Sequence, residues 1–139
     1  MSIEINGIAH TMLTAGDFDR SRRFYGQLLP FLGLTAVIDG PGMYYCVGGR
    51  TAFGISGPSA DNEGSRFDQG RAGLHHVCFR ARSRQDVDLV HDKVLAMDAT
   101  VVHGPQEDDW APGYYSALFE DPDGVRLEIN HVPGKGLLG

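Results

Sequence analysis

Residues 119–130 read Phe119-Glu120-Asp121-Pro122-Asp123-Gly124-Val125-Arg126-Leu127-Glu128-Ile129-Asn130. The Pro-Asp-Gly centre predicts a tight turn, because proline presets φ and glycine accepts the left-handed conformation that closes it. Asp121 and Asp123 fit as turn formers whose carboxylates bond nearby backbone. The residues that follow alternate apolar and polar, which predicts a strand over Val125–Asn130. Leu127 and Ile129 take one face of it. Arg126, Glu128 and Asn130 take the other.

Working back from this turn, Tyr114–Phe119 and Thr100–His103 read as two more strands. They are preceded by a helix over Arg84–Met97 with apolar Val87, Val90 and Val94 at helical spacing. Ser83 with Asp86 three positions on resembles a capping box. A strand over Leu74–Ala81 opens the segment. The first part of the chain has the same order. A strand over Ile8–Thr14 leads to Asp17 as N-cap and a helix over Phe18–Leu29, in which Phe24, Leu28 and Ser21 share a face. Pro30 and Gly33 mark its exit. Strands near Thr35–Asp39, Met43–Val47 and Thr51–Ser56 follow, separated by Gly40-Pro41-Gly42 and Gly48-Gly49. Between the halves, Gly57–Gly73 is rich in Gly, Ser, Asp and Asn and reads as a linker. The expectation is one α+β domain over 1–139 built of two βαβββ modules. Module one covers 5–57, the linker 58–72, module two 73–132 and a C-terminal tail 133–139.

Strand alternation places His10, Met12 and Thr14 on one face of the first strand, and His76, Cys78 and Arg80 on one face of the second module's first strand. The more apolar faces should pack on the helices. That leaves His10, His76 and Glu128 together on the opposite, concave surface. Two imidazoles and a carboxylate are a ligand set for a divalent metal that leaves positions open to substrate. The neighbouring His75 competes with His76, but choosing it would turn Val77 and Phe79 away from the helix. His91 on a helix, His103 at a strand end and the outward His131 are not favoured.

Bulk properties exclude other classes. A length of 139 residues and 42% hydrophobic content suit one compact domain with a real core. The formal charge of −6 and the pI near 5.4 argue against nucleic acid, whose phosphates attract Lys and Arg. Only Lys93 and Lys135 are lysines, and there is no basic run. No apolar stretch approaches bilayer-spanning length, and Met1-Ser2-Ile3-Glu4 is unlike a signal peptide. A cytoplasmic protein with neither membrane nor nucleic-acid partner is expected. Cys46 and Cys78 lie in strand-like runs and read as small buried hydrophobes.

The strand carrying His10, followed by Asp17-Phe18-Asp19-Arg20-Ser21-Arg22-Arg23-Phe24-Tyr25, resembles the first module of the vicinal oxygen chelate superfamily. His75-His76-Val77-Cys78-Phe79-Arg80 and Phe119 to Glu128 resemble its second module. The superfamily includes glyoxalase I, extradiol dioxygenases, fosfomycin-resistance thiol transferases and bleomycin-resistance proteins. The resemblance spans roughly residues 5 to 132 and implies paired βαβββ modules whose mixed sheets curve into a cup with helices outside, in a homodimer. It places the metal on His10, His76 and Glu128, with Mn, Fe, Ni, Co or Zn as the ion. In some dimers of the family the first-module ligand and the second-module ligands come from different chains.

The same resemblance marks departures. Glyoxalase I has a carboxylate, both ligand and base, near the end of the first module; here the match falls on Phe53 or Gly54. Extradiol dioxygenases and fosfomycin enzymes have a tyrosine where this chain has Leu118. Ser116 matches the fosfomycin hydroxyl position, but Gln106-Glu107-Asp108-Asp109 is a poor anion clamp. The implied function is a metal-dependent enzyme that chelates adjacent oxygens of a small substrate and stabilises an oxyanion, of lyase, isomerase or dioxygenase type. The alternative is a metal-free binding or drug-sequestration module of the bleomycin-resistance kind, which the acidity and Trp110 would suit. Substrate contacts are expected from Arg80, through its bidentate guanidinium, and from Tyr114, Ser116 and Trp110. Plain alternatives stand beside each: an ion pair for Arg80, strand packing for Tyr114 and a surface staple for Trp110. No residue stands out as the general base.

Overall fold

The computed structural model describes residues 1–135, so the last four residues of the expected tail lie outside it. The chain divides into two compact units, residues 1–65 and residues 66 onward, with the boundary inside the segment read as a linker. A short 3₁₀ turn, Ala60–Asn62, interrupts that segment.

Unit one contains β1 (His10–Thr14), α1 (Phe18–Phe31), β2 (Thr35–Gly40), β3 (Met43–Gly48) and β4 (Thr51–Ser56). Its four strands form one sheet in the order β1-β4-β3-β2, with β1 parallel to β4 and the other pairs antiparallel. Asp17 caps α1 as expected, its side chain accepting from the Arg20 N–H at 3.0 Å. The helix runs two residues beyond the expected end. Pro30 lacks one donor, but Leu32 N–H reaches Leu28 O, and Leu34 N–H closes back on Leu29 O through Gly33 at φ 90°. Tyr25, Leu28 and Leu29 are fully buried in α1, against Tyr44, Cys46, Phe53 and Ile55 of the sheet. The Tyr25 and Phe53 rings lie 5.4 Å apart. Arg22 lies over the Tyr44 ring at 3.9 Å and pairs with Asp39 at 2.8 Å, bracing helix to sheet.

Unit two repeats the order: β5 (Val77–Arg80), α2 (Arg84–Ala96), β6 (Thr100–Asp108), β7 (Tyr114–Glu120) and β8 (Arg126–His131). The sheet order is β5-β8-β7-β6, with β5 parallel to β8. The Ser83 hydroxyl accepts from the Asp86 N–H at 3.1 Å. Val87, Val90 and Val94 are buried with Ala117, Phe119, Leu127 and Ile129. Asp121 accepts from the N–H groups of Asp123 at 2.8 Å and Val125 at 3.0 Å, so it forms the turn it was expected to form. Strand β6 continues past His103, with register shifts around Gly104-Pro105. A Gly-Pro pair reads as a break, but β6 is an edge strand and an edge tolerates a missing donor. Arg84 lies over the Tyr115 ring at 3.9 Å and pairs with Glu107 at 2.5 Å.

The two units are thus βαβββ modules of the same pairing plan, each with an open mixed sheet and one helix. No helix of the described residues is long and apolar enough to cross a membrane. The expectation for the cysteines holds for Cys46, which is buried. It fails for Cys78, which is exposed on the face of its sheet away from α2. Strand position alone cannot separate the two cases, since only one face of each sheet carries a helix.

Candidate metal centre

In unit two, β8 lies between β5 and β7, so Glu128 has a neighbour on each side. Cys78 is its parallel register partner and Leu118 its antiparallel one. Register partners share a face. Glu128, Cys78 and Leu118 therefore lie on the sheet surface opposite the buried Leu127 and Ile129. His76 sits one residue before β5 and is exposed, with Nε2 3.8 Å from Glu128 Oε1. Two donors each about 2.1 Å from one ion are about 3.4 Å apart at a tetrahedral angle. The observed pair is therefore within a small side-chain adjustment of sharing one. An imidazole and a carboxylate also suit the divalent ions in question.

The remaining atoms of these two side chains are occupied. Tyr114 donates its hydroxyl to Glu128 Oε2, and the Cys78 thiol donates to the same oxygen at 3.3 Å. Burial, reinforced by the bond to Glu128, raises the Tyr114 pKa above the ordinary 10.0. Crowding around the Cys78 sulfur, then the Glu128 charge, raises that thiol above its ordinary 9.0, although part of the residue is open to solvent. Both groups hold their protons and serve as donors. On the imidazole, His76 Nδ1 lies 2.8 Å from His75 Nδ1, and Gln69 Nε2 donates to His75 O at 2.9 Å.

Unit one has His10 exposed at the start of β1, its ring edge-on to Tyr45 at 6.1 Å. The question left open between Phe53 and Gly54 is settled by facing. Phe53 meets Tyr25 on the helix side. Gly54 pairs with Met12 and Tyr45 on the side of His10. No carboxylate stands at either place.

Arg80 is exposed on the Cys78 face opposite Asn130 and makes no ion pair among the described residues. Ser116 lies on the expected face, but it is buried with 1% exposure. Trp110, 79% exposed, stands in the loop between β6 and β7. Among the described residues no group of three or more His, Cys, Asp or Glu is set to hold a metal ion. His76 and Glu128 belong to unit two, and His10 belongs to unit one. Sequence reasoning missed the bonds of Cys78 and His75. The available signal was position: Cys78 is two residues from His76, hence on its face, and His75 adjoins it.

The pattern of the Glyoxalase/Bleomycin resistance protein/Dioxygenase superfamily matches residues 7–129, which span both modules. The chain belongs to that superfamily. Among curated proteins, this glyoxalase-superfamily chain is 27% identical over 128 residues to the uncharacterized protein YqjT of Bacillus subtilis, covering 86% of this chain and 94% of that one. Among solved structures it is similar to a lactoylglutathione lyase from Agrobacterium tumefaciens, with 28% identity and TM-score 0.68, over 91% of this chain and 94% of the other. A glyoxalase/bleomycin resistance protein from Albidiferax ferrireducens gives 26% identity and TM-score 0.73, over 91% and 98%.

Proposed function

We propose that this superfamily member is a metal-dependent enzyme that chelates adjacent oxygens of a small substrate, with lyase or isomerase chemistry. The observation that carries the reading is the His76 Nε2–Glu128 Oε1 pair, two donors turned toward each other on one open sheet face. His10 is the third ligand in this reading. A bound divalent ion would supply Lewis-acid stabilisation of an oxyanion. The chain's own residues do the rest. Arg80 binds an acidic substituent of the substrate, and Tyr114 and Cys78 hold the Glu128 carboxylate. A homodimer follows from the same reading. His76 and Glu128 form only part of a ligand set, and among the described residues the outer strands of both sheets, β1 and β2, β5 and β6, have one unpaired edge each. In that dimer the ligand set is completed by a His10, of the same chain or of the partner.

Calorimetry and elemental analysis with Mn, Fe, Ni, Co and Zn test this. About one ion per chain is expected, and binding should be lost in Glu128→Ala. An ion bound equally well by the variant would end the assignment. Light scattering should give a dimer, and a stable monomer at micromolar concentration would refute it.

The reaction is set apart from two known ones. With Gly54 at the carboxylate position and Leu118 beside Glu128, a positioned acid or base is missing, which typically removes roughly 10²–10⁴ in rate. Negligible turnover of the methylglyoxal–glutathione adduct and of catechols is expected, even with metal loaded. The second reading is metal-free ligand sequestration of the bleomycin-resistance kind, which the net charge of −6 and the exposed Trp110 suit. Ligand binding indifferent both to chelator and to Glu128→Ala would favour it.

A further inference from the structure

The hydrogen bonds around His76 and Glu128 are distributed unevenly over their atoms. Glu128 Oε2 accepts two donors, the Tyr114 hydroxyl and the Cys78 thiol, whereas Oε1 faces His76. His76 Nδ1 is engaged with His75 Nδ1, whereas Nε2 faces Glu128. Each side chain thus has one atom tied back to the protein and one left over, and the two left-over atoms are the pair 3.8 Å apart. Random surface contacts have no reason to sort in this way. Outer partners that occupy one atom of a ligand fix its orientation and tautomer, and their loss typically weakens metal affinity by about 10–100-fold.

We infer that Tyr114, assisted by Cys78, and His75 are positioning residues that present Glu128 Oε1 and His76 Nε2 to a divalent ion. This assigns Tyr114 a role distinct from substrate contact, and it rests on the metal reading above. The tyrosine acts through the carboxylate. Its hydroxyl is already committed to Glu128 Oε2. Gln69, reaching both the carbonyl and Nδ1 of His75, steadies the other arm at 2.9 Å and 3.4 Å. If Gln69 donates to His75 Nδ1, that nitrogen accepts the His76 Nδ1 proton, and Nε2 of His76 carries the lone pair a metal requires.

The test is Co(II) alone, titrated into the full chain and followed by calorimetry and by the visible absorption of the bound ion. Tyr114→Phe removes one hydroxyl and should weaken Co(II) by about 10–100-fold and shift the absorption bands, with little change in the melting temperature of the metal-free protein. His75→Phe, at an exposed residue, should act in the same direction and serves if Tyr114→Phe does not fold. Tyr115→Phe is the control. Its hydroxyl bonds Asp88 on the helix side, and Co(II) binding should not change. Affinity and spectrum unchanged in both Tyr114→Phe and His75→Phe, while Glu128→Ala abolishes binding, would overturn the inference and leave the metal site standing. Equal Co(II) binding by the parent and Glu128→Ala would remove the site itself, and the inference with it.

Discussion

Along the open face of unit one, Met12, Gly54 and Tyr45 are joined by register; along that of unit two, Cys78, Glu128 and Leu118 occupy the same three places. The backbone plan is common to both: a parallel pair, an antiparallel neighbour, and a histidine two residues before the first of the three positions. The side chains are not. Module two presents a carboxylate with donors tied to it, whereas module one presents a thioether, a bare backbone and a ring. A Cβ built on Gly54 would lie 2.7 Å from Tyr45 Cδ2, 2.8 Å from Met12 Sδ and 2.8 Å from Tyr44 O. The missing carboxylate is therefore filled in by its neighbours rather than merely absent. One fold repeated twice can hold a hydrogen-bonded carboxylate in one copy and packing in the other, because register fixes position while composition remains free.

The buried sides should behave alike, and the largest effects test that. Phe53 and Leu127 occupy equivalent places beneath their helices, with 3% and 0% exposure. Phe53→Ala should cost about 3–5 kcal/mol and Leu127→Ala about 2–5 kcal/mol, read from denaturant midpoints. A loss well under this range in one module alone would show that the two cores are not equivalent.

A middle-sized effect probes the open faces. Gly54→Ala should destabilise by about 1–3 kcal/mol through overpacking. Adding Met12→Ala should restore only part of that, since the Tyr44 oxygen is backbone and cannot swing away. A neutral Gly54→Ala would mean that module one has room for a carboxylate after all, and the contrast with Glu128 would lose its steric basis.

The smallest effect concerns the brace on the helix side of unit one. The hydrogen bond from Arg22 holds the Asp39 carboxyl below its ordinary 3.8. A depressed carboxyl contributes stability that is present above the unfolded value and is lost as pH falls through the folded one. Melting temperatures of the parent and Asp39→Asn should therefore differ slightly near neutrality and converge as pH is lowered below 3.8. A gap that persists at low pH would assign the effect to something other than this ion pair.

Much of the fold was legible because it is written in local chemistry. Asp17 and Ser83 start helices through their own side chains, and Asp121-Pro122-Asp123-Gly124 turns the chain without distant help. Val87, Val90 and Val94 announce a buried stripe by spacing alone. The same alternation placed His10, Cys78, Arg80 and Glu128 on the faces they occupy. Element ends were less legible. α1 passes through Pro30 because the following donors, Leu32 N–H and Leu34 N–H, reach Leu28 O and Leu29 O, and β6 passes Gly104-Pro105 because an edge strand tolerates a missing donor.

What the order of residues settles by itself is periodicity, capping and turn chemistry, hence two modules of one plan and the sides on which His10 and Glu128 fall. Those depend on contacts a few residues apart. Three matters needed the folded chain: that Gly54 rather than Phe53 shares the face of His10, that Cys78 is open while Cys46 is buried, and that Tyr114 and Cys78 converge on one oxygen of Glu128. These rest on register between strands tens of residues apart. Alternation gives the side of a strand, but only pairing gives the neighbour across it.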